Sequence, residues 1–87
     1  MIRSAIALAA LLALAAPARA DDSALCRTGI VAEEAIRLAR TAGIALVLEL
    51  DCDDGRWEVE GRDGEGRPIE VDIHAGTGRV LKVDRDR

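Results

Sequence analysis

The chain has 87 residues, of which 32% are charged, with sixteen Asp and Glu against twelve Lys and Arg, and Trp57 is its one aromatic. That length allows a single small domain. The acidic balance and the lack of stacking aromatics argue against a nucleic-acid partner, and the same charge argues against an anionic membrane surface.

The N-terminus carries Arg3, an apolar run from Ala5 to Ala16, then Pro17 and Ala18-Arg19-Ala20. This is the order of a cleavable secretory signal peptide over residues 1–20. The run is twelve residues long, short of the roughly 20 that a membrane-spanning helix needs. Leu25 before Cys26 is not the small residue that lipid attachment requires. The expected location is therefore periplasmic or secreted, with Asp21 as the mature N-terminus. The mature chain of 67 residues would hold ten basic and sixteen acidic residues, a net charge of −6.

Residues 21–29 read as a polar lead containing Cys26. Val31, Ala35, Leu38, Ala39 and Ala42 then share one face of a helix expected over 31–42, with Glu33 and Glu34 in the first turn, Arg37 and Arg40 later, and Gly43 as the stop. From Ile44 the period becomes two. Ile44, Leu46, Leu48, Leu50 and Cys52 take one parity and Glu49 and Asp51 the other, as in a strand with one buried face.

Asp53-Asp54-Gly55 has tight-hairpin chemistry. Trp57 and Val59 alternate with Arg56, Glu58 and Glu60 in a second strand, and Gly61 to Arg67 read as a loop. Ile69, Val71 and Ile73 alternate with Glu70, Asp72 and His74 in a third strand. After a turn at Ala75-Gly76-Thr77-Gly78, Leu81 and Val83 are expected to point inward from a short last strand. The expected fold class is α+β: one helix packed on a three- to four-stranded antiparallel meander sheet.

So small a core, almost without aromatics, would benefit from a staple. Two cysteines in an oxidising compartment suggest one. The helix and the returning strand have matching lengths, near 18 and 20 Å, which brings Cys52 to the level of the helix start, near Cys26. An intramolecular bridge would contribute roughly 3.5 kcal/mol in the chain-entropy model. Free thiols and intermolecular pairing remain open from sequence.

A sheet with its helix on one face would project Glu49, Asp51, Glu58, Glu60, Glu70 and Asp72 from the other, with Arg56 and His74 among them. Such a face is either an ordinary solvated surface, a docking face for a basic partner, or a loose cation site.

The segment Ala32-Glu33-Glu34-Ala35-Ile36-Arg37-Leu38-Ala39, the aliphatic strand, the hairpin into Gly55-Arg56-Trp57-Glu58-Val59 and the ending Thr77-Gly78-Arg79-Val80-Leu81 together resemble the PepSY domain. The resemblance covers residues 30–84, within a domain placed at 30–87. It implies a role in restraining or binding a peptidase or another envelope protein, without catalysis. Family members usually place an aspartate before the last turn, in a D-A-x-T-G arrangement. Here that stretch is His74-Ala75-Gly76-Thr77-Gly78, so the aspartate's role does not carry over to His74 by sequence.

No catalytic site is expected. The mature chain has one serine, Ser23, and one histidine, and nucleophilic catalysis needs a base beside its nucleophile. Asp51-Cys52-Asp53-Asp54-Gly55 fails as an EF-hand, since Gly55, Arg56 and Arg62 fall where an oxygen ligand, glycine and glutamate belong. One histidine and two separated cysteines lack zinc spacing, and no cofactor or metal ligand set is assigned. Gly64-Glu65-Gly66 and Gly76-Thr77-Gly78 open no helix and are not phosphate loops. Two functions stay in contention. The first is a monomeric binding or regulatory module docking on an envelope protein, as a peptidase inhibitor or a sensor regulator would. The second is a small acidic cation-binding protein of the periplasm.

Overall fold

The computed structural model describes residues 23–85. The expected signal peptide and Asp21 lie outside them. The order of elements is α1 (Ala24–Thr28), α2 (Ala32–Thr41), β1 (Ile44–Asp53), β2 (Arg56–Asp63), β3 (Pro68–His74) and β4 (Val80–Arg85). The four strands form one antiparallel sheet in the order β1-β2-β3-β4, and α2 packs on β1, β2 and β3. The α+β meander is as expected. The polar lead is not wholly irregular, because it contains α1, with Cys26 inside it.

The helix α2 buries Ala35 and Ala39 completely, with Leu38 and Ala42 packed at the margin. Two alanines at the contact let the helix lie close to the sheet, over Ile44, Val59, Ile69, Val71 and Ile73. Val31 departs from the helical face on which its spacing places it. It is the N-cap, in an extended conformation, and stays 60% exposed, while Ile30 packs against the core in its stead.

The strand β1 departs further. Its pairing with β2 slips once between Ile44 and Leu46 and again between Val47 and Glu49. Each slip is a β-bulge that inserts one residue and exchanges the faces of those that follow. Ile44, Val47, Leu50 and Cys52 share the side of Asp63, Gly61, Val59 and Trp57, their partners. Leu46 and Leu48, expected inside, are 54% and 61% exposed. Two insertions restore the original parity, which is why Glu49, Leu50, Asp51 and Cys52 still fall on their expected faces.

Gly61, opposite Val47, lies between these two irregularities and lets the backbone of β1 approach closely there. A Cβ there would stand 1.9 Å from the Leu46 carbonyl oxygen. β2 therefore runs through Gly61 to Asp63, where a loop was expected, and the loop proper is 64–67. Its anchor is Asp63, only 8% exposed, whose Oδ1 accepts the N–H groups of Glu65 and Arg67 at 2.9 and 3.0 Å and whose Oδ2 accepts Arg85 Nη1 at 2.9 Å. One carboxylate thus closes a hairpin and ties down the end of β4.

On β4, Val80 and Val83 pair with Ile73 and Val71, and Leu81 is the extra residue of a third bulge. The expected inward pointing of Leu81 and Val83 does not bury them. Both remain exposed, at 47% and 43%, because β4 is the sheet edge beyond the three strands that α2 covers.

The other end of the molecule is tightly joined. Asp54 and Gly55 have φ of 54° and 78°, both positive as a type I′ hairpin requires. The Ala75 N–H donates to the Gly55 carbonyl at 2.9 Å, and the Ala75 carbonyl accepts the Ile30 N–H at 2.7 Å. Trp57 Nε1 donates to the Ile30 carbonyl at 3.1 Å. Cys26 and Cys52 form a disulfide there, with Cα atoms 6.3 Å apart.

Candidate functional site

The sheet register sets out the acidic residues in two rows. Glu49 lies opposite Glu60, Glu60 opposite Glu70, and Glu70 opposite Asp84. In the next row Asp51 faces Glu58, Glu58 faces Asp72, and Asp72 faces Lys82. Seven of these eight positions are carboxylates. The register sets these six residues on one face, where Asp72 is buried rather than open to solvent, and Asp84 extends their set. The alternation of Leu81 and Val83 with Lys82 and Asp84 could have nominated Asp84 for this face, but only its register opposite Glu70 places it in the row.

Side chains directly opposite on neighbouring strands have Cβ atoms about 5 Å apart, and like charges there are destabilising. The cost is visible in the carboxyls themselves. Hydrogen bonding to Asp51, with the charges of Asp51 and Glu60, raises the pKa of Glu49 above its ordinary 4.5. Asp72 is only 4% exposed. Burial first, then Glu70 and Glu58, push its carboxyl from 3.8 up to about 6, against the pull of Lys82.

Arg56 is the main internal counter-charge. Its guanidinium lies 3.1 Å from Glu58 Oε2 and 3.4 Å from Asp72 Oδ2, with Asp53 and Asp54 at 3.8 and 3.9 Å. Lys82 Nζ is 3.9 Å from the same Asp72 oxygen. These two cations sit in or beside the Asp51 row. Over the Glu49 row the sheet carries an open groove of about 340 Å³, lined by Leu48 and Pro68, by the carboxylates Glu49, Glu60, Glu70 and Asp84, and by Arg62.

His74 lies at the end of β3 and its ring turns onto the following loop. Nδ1 accepts the N–H groups of Gly76 at 3.0 Å and Thr77 at 3.2 Å, which requires the proton of the neutral ring to be on Nε2. A carboxylate at this position could accept the same two donors, in the manner of an Asx turn. The histidine therefore presents an acceptor at the position where the family pattern has its aspartate.

One main helix and a short one on a four-strand antiparallel meander, with an acidic outer face, define a small α+β module. The chain belongs to the PepSY family: residues 3–84 match the family described as peptidase propeptide and YPEB domain. Membership makes it a peptidase-propeptide-like or regulatory module, a class that is typically non-catalytic. No curated protein and no solved structure gives a match. Among the described residues no helix is long and apolar enough to cross a membrane.

Proposed function

We propose that this chain is an exported, non-catalytic regulator that docks through its open sheet face on a positively charged segment of an envelope protein, such as a peptidase it restrains or a sensor it governs. The observation that carries the reading is the Glu49-Glu60-Glu70-Asp84 row, in which four strands each supply a carboxylate at one level. A fold gains nothing in stability from stacking like charges, whereas a basic partner gains steering and register from them. Leu48 and Pro68 beside that row offer apolar walls to the aliphatic stems of Lys or Arg.

The test is capture from an envelope extract with the protein as bait, run beside a Glu49→Lys/Glu60→Lys variant. The partner should be retained by the parent, released by salt as exposed charge pairs are, and not retained by the variant. Equal retention by the charge-reversed variant would sink the reading. Export is checked separately: the native protein should begin at Asp21 by mass spectrometry, and an intact chain in the cytoplasm would contradict it.

A further inference from the structure

We propose that Glu58, Glu70 and Asp72 form a calcium site on the open face. One carboxylate oxygen from each of the three lies within 4.8 Å of the others. The sheet holds them there: Glu58 and Asp72 are register partners on β2 and β3, and Glu70 precedes Asp72 by two residues on the same face.

The protein's own cations leave these oxygens incompletely served. Arg56 engages Glu58 through Oε2, and Arg56 and Lys82 both approach Asp72 through Oδ2. Asp72 Oδ1 is buried and accepts no hydrogen bond among the described residues. A buried carboxylate oxygen without a donor is costly, and its side chain is 6% exposed. Three carboxylates thus converge at Asp72, whose buried Oδ1 is left without a donor among the described residues. A divalent cation supplies the missing charge.

The donor chemistry selects the ion. All three ligands are carboxylate oxygens, the hard set that suits calcium or magnesium rather than zinc or copper. Calcium binds oxygens at about 2.4 Å in a flexible shell that water can complete, whereas magnesium demands octahedral regularity at about 2.05 Å. Three carboxylates held on one sheet face, with water supplying the rest, meet calcium's flexible shell more readily than magnesium's octahedron. Lacking a cage, the site belongs with the weak extracellular calcium modules, with a dissociation constant on the order of 10⁻⁴ to 10⁻³ M. It stands whether or not the face also docks a protein.

Calcium chloride is titrated into the purified protein at pH 7.5, with sodium chloride at matched ionic strength as the control, by calorimetry and thermal melting. One calcium should bind per chain, and 10 mM should raise Tm by roughly 5 °C or more beyond the sodium control. Asp72→Asn and Glu70→Gln should each abolish that increment while keeping the parent's circular dichroism, and Glu49→Gln should retain it. A rise no larger than sodium's, or an Asp72→Asn protein responding like the parent, would overturn the site. An equal response to magnesium would overturn its assignment to calcium.

Discussion

His74, Asp72 and Asp63 show how single side chains set local stability by different chemistries. The His74 ring supplies two hydrogen bonds to the last turn, each worth about 1 kcal/mol net. His74→Ala should lose about 1–2 kcal/mol, and His74→Asp, which restores a double acceptor, should lie within about 0.5 kcal/mol of the parent in urea melts. Equal losses in both variants would show that the ring acts by packing.

The two buried acids have opposite pH dependence. Asp72 has a folded pKa raised from 3.8 to about 6, so the fold prefers it protonated; its contribution is full below about pH 4 and is lost as pH rises through 6. Asp63 is held below 3.8, first by the Arg67 N–H, then by that of Glu65 and by the Arg67 and Arg85 charges, against the effect of burial. Its contribution is present above about pH 4 and is lost as pH falls through the lowered value. At pH 7 and without calcium, Asp72→Asn should be more stable than the parent by about 1–2 kcal/mol, with the gain gone near pH 4. Asp63→Asn should be less stable by about 1.5–3 kcal/mol at pH 7, with the gap closing in acid. Denaturant titrations across that range decide both, and a less stable Asp72→Asn at pH 7 would contradict the first.

At the level of elements, β1 is shaped by its partner as much as by its own residues. Strict alternation would bury Leu46 and Leu48; the bulged register brings in Val47 instead. The contact that makes this possible is backbone against backbone, since the space beside Gly61 is filled by the Leu46 carbonyl. No side chain can turn away to relieve it. Gly61→Ala should therefore destabilise by about 2–3 kcal/mol, as overpacking does, whereas Gly64→Ala, with open space around its position, should change stability by less than about 0.5 kcal/mol. Thermal melts of the two variants give the comparison, and a neutral Gly61→Ala would mean that the bulge can be rearranged at little cost.

For the molecule as a whole, a core whose largest fully buried side chains are Ile73, Val59 and Val71 leaves little margin. Burying such a side chain stabilises by roughly 1.5–3 kcal/mol. The Cys26–Cys52 disulfide spans 26 positions and joins α1, which has no buried residue of its own, to the end of β1. It is of the same order as one or two core side chains, so replacing both cysteines by Ala should cost roughly 2–5 kcal/mol and expose α1 to proteolysis first. Alkylation of the oxidised protein under denaturing conditions should label no thiol.

The elements and their order were legible in the residues, because they depend on local chemistry: the alanine-rich helical face ending at Gly43, the Asp54-Gly55 turn, and the alternation of Val59, Ile69, Val71 and Ile73 with acidic residues. The sequence also placed Glu49, Asp51, Glu58, Glu60, Glu70 and Asp72 on one face, since parity within a strand fixes the face once one side is buried. Parity says nothing of which residues stand opposite one another. The bulges in β1 and β4, the exposure of Leu46 and Leu48, the entry of Asp84 into the acidic row and the service of Asp63 to both a loop and Arg85 were decided by tertiary structure. So was the meeting of Glu58, Glu70 and Asp72, whose separation of up to fourteen residues along the chain matches no metal motif. The reason is physical: register is set by cross-strand packing and by where a backbone can approach closely, and those terms exist only once the strands are paired.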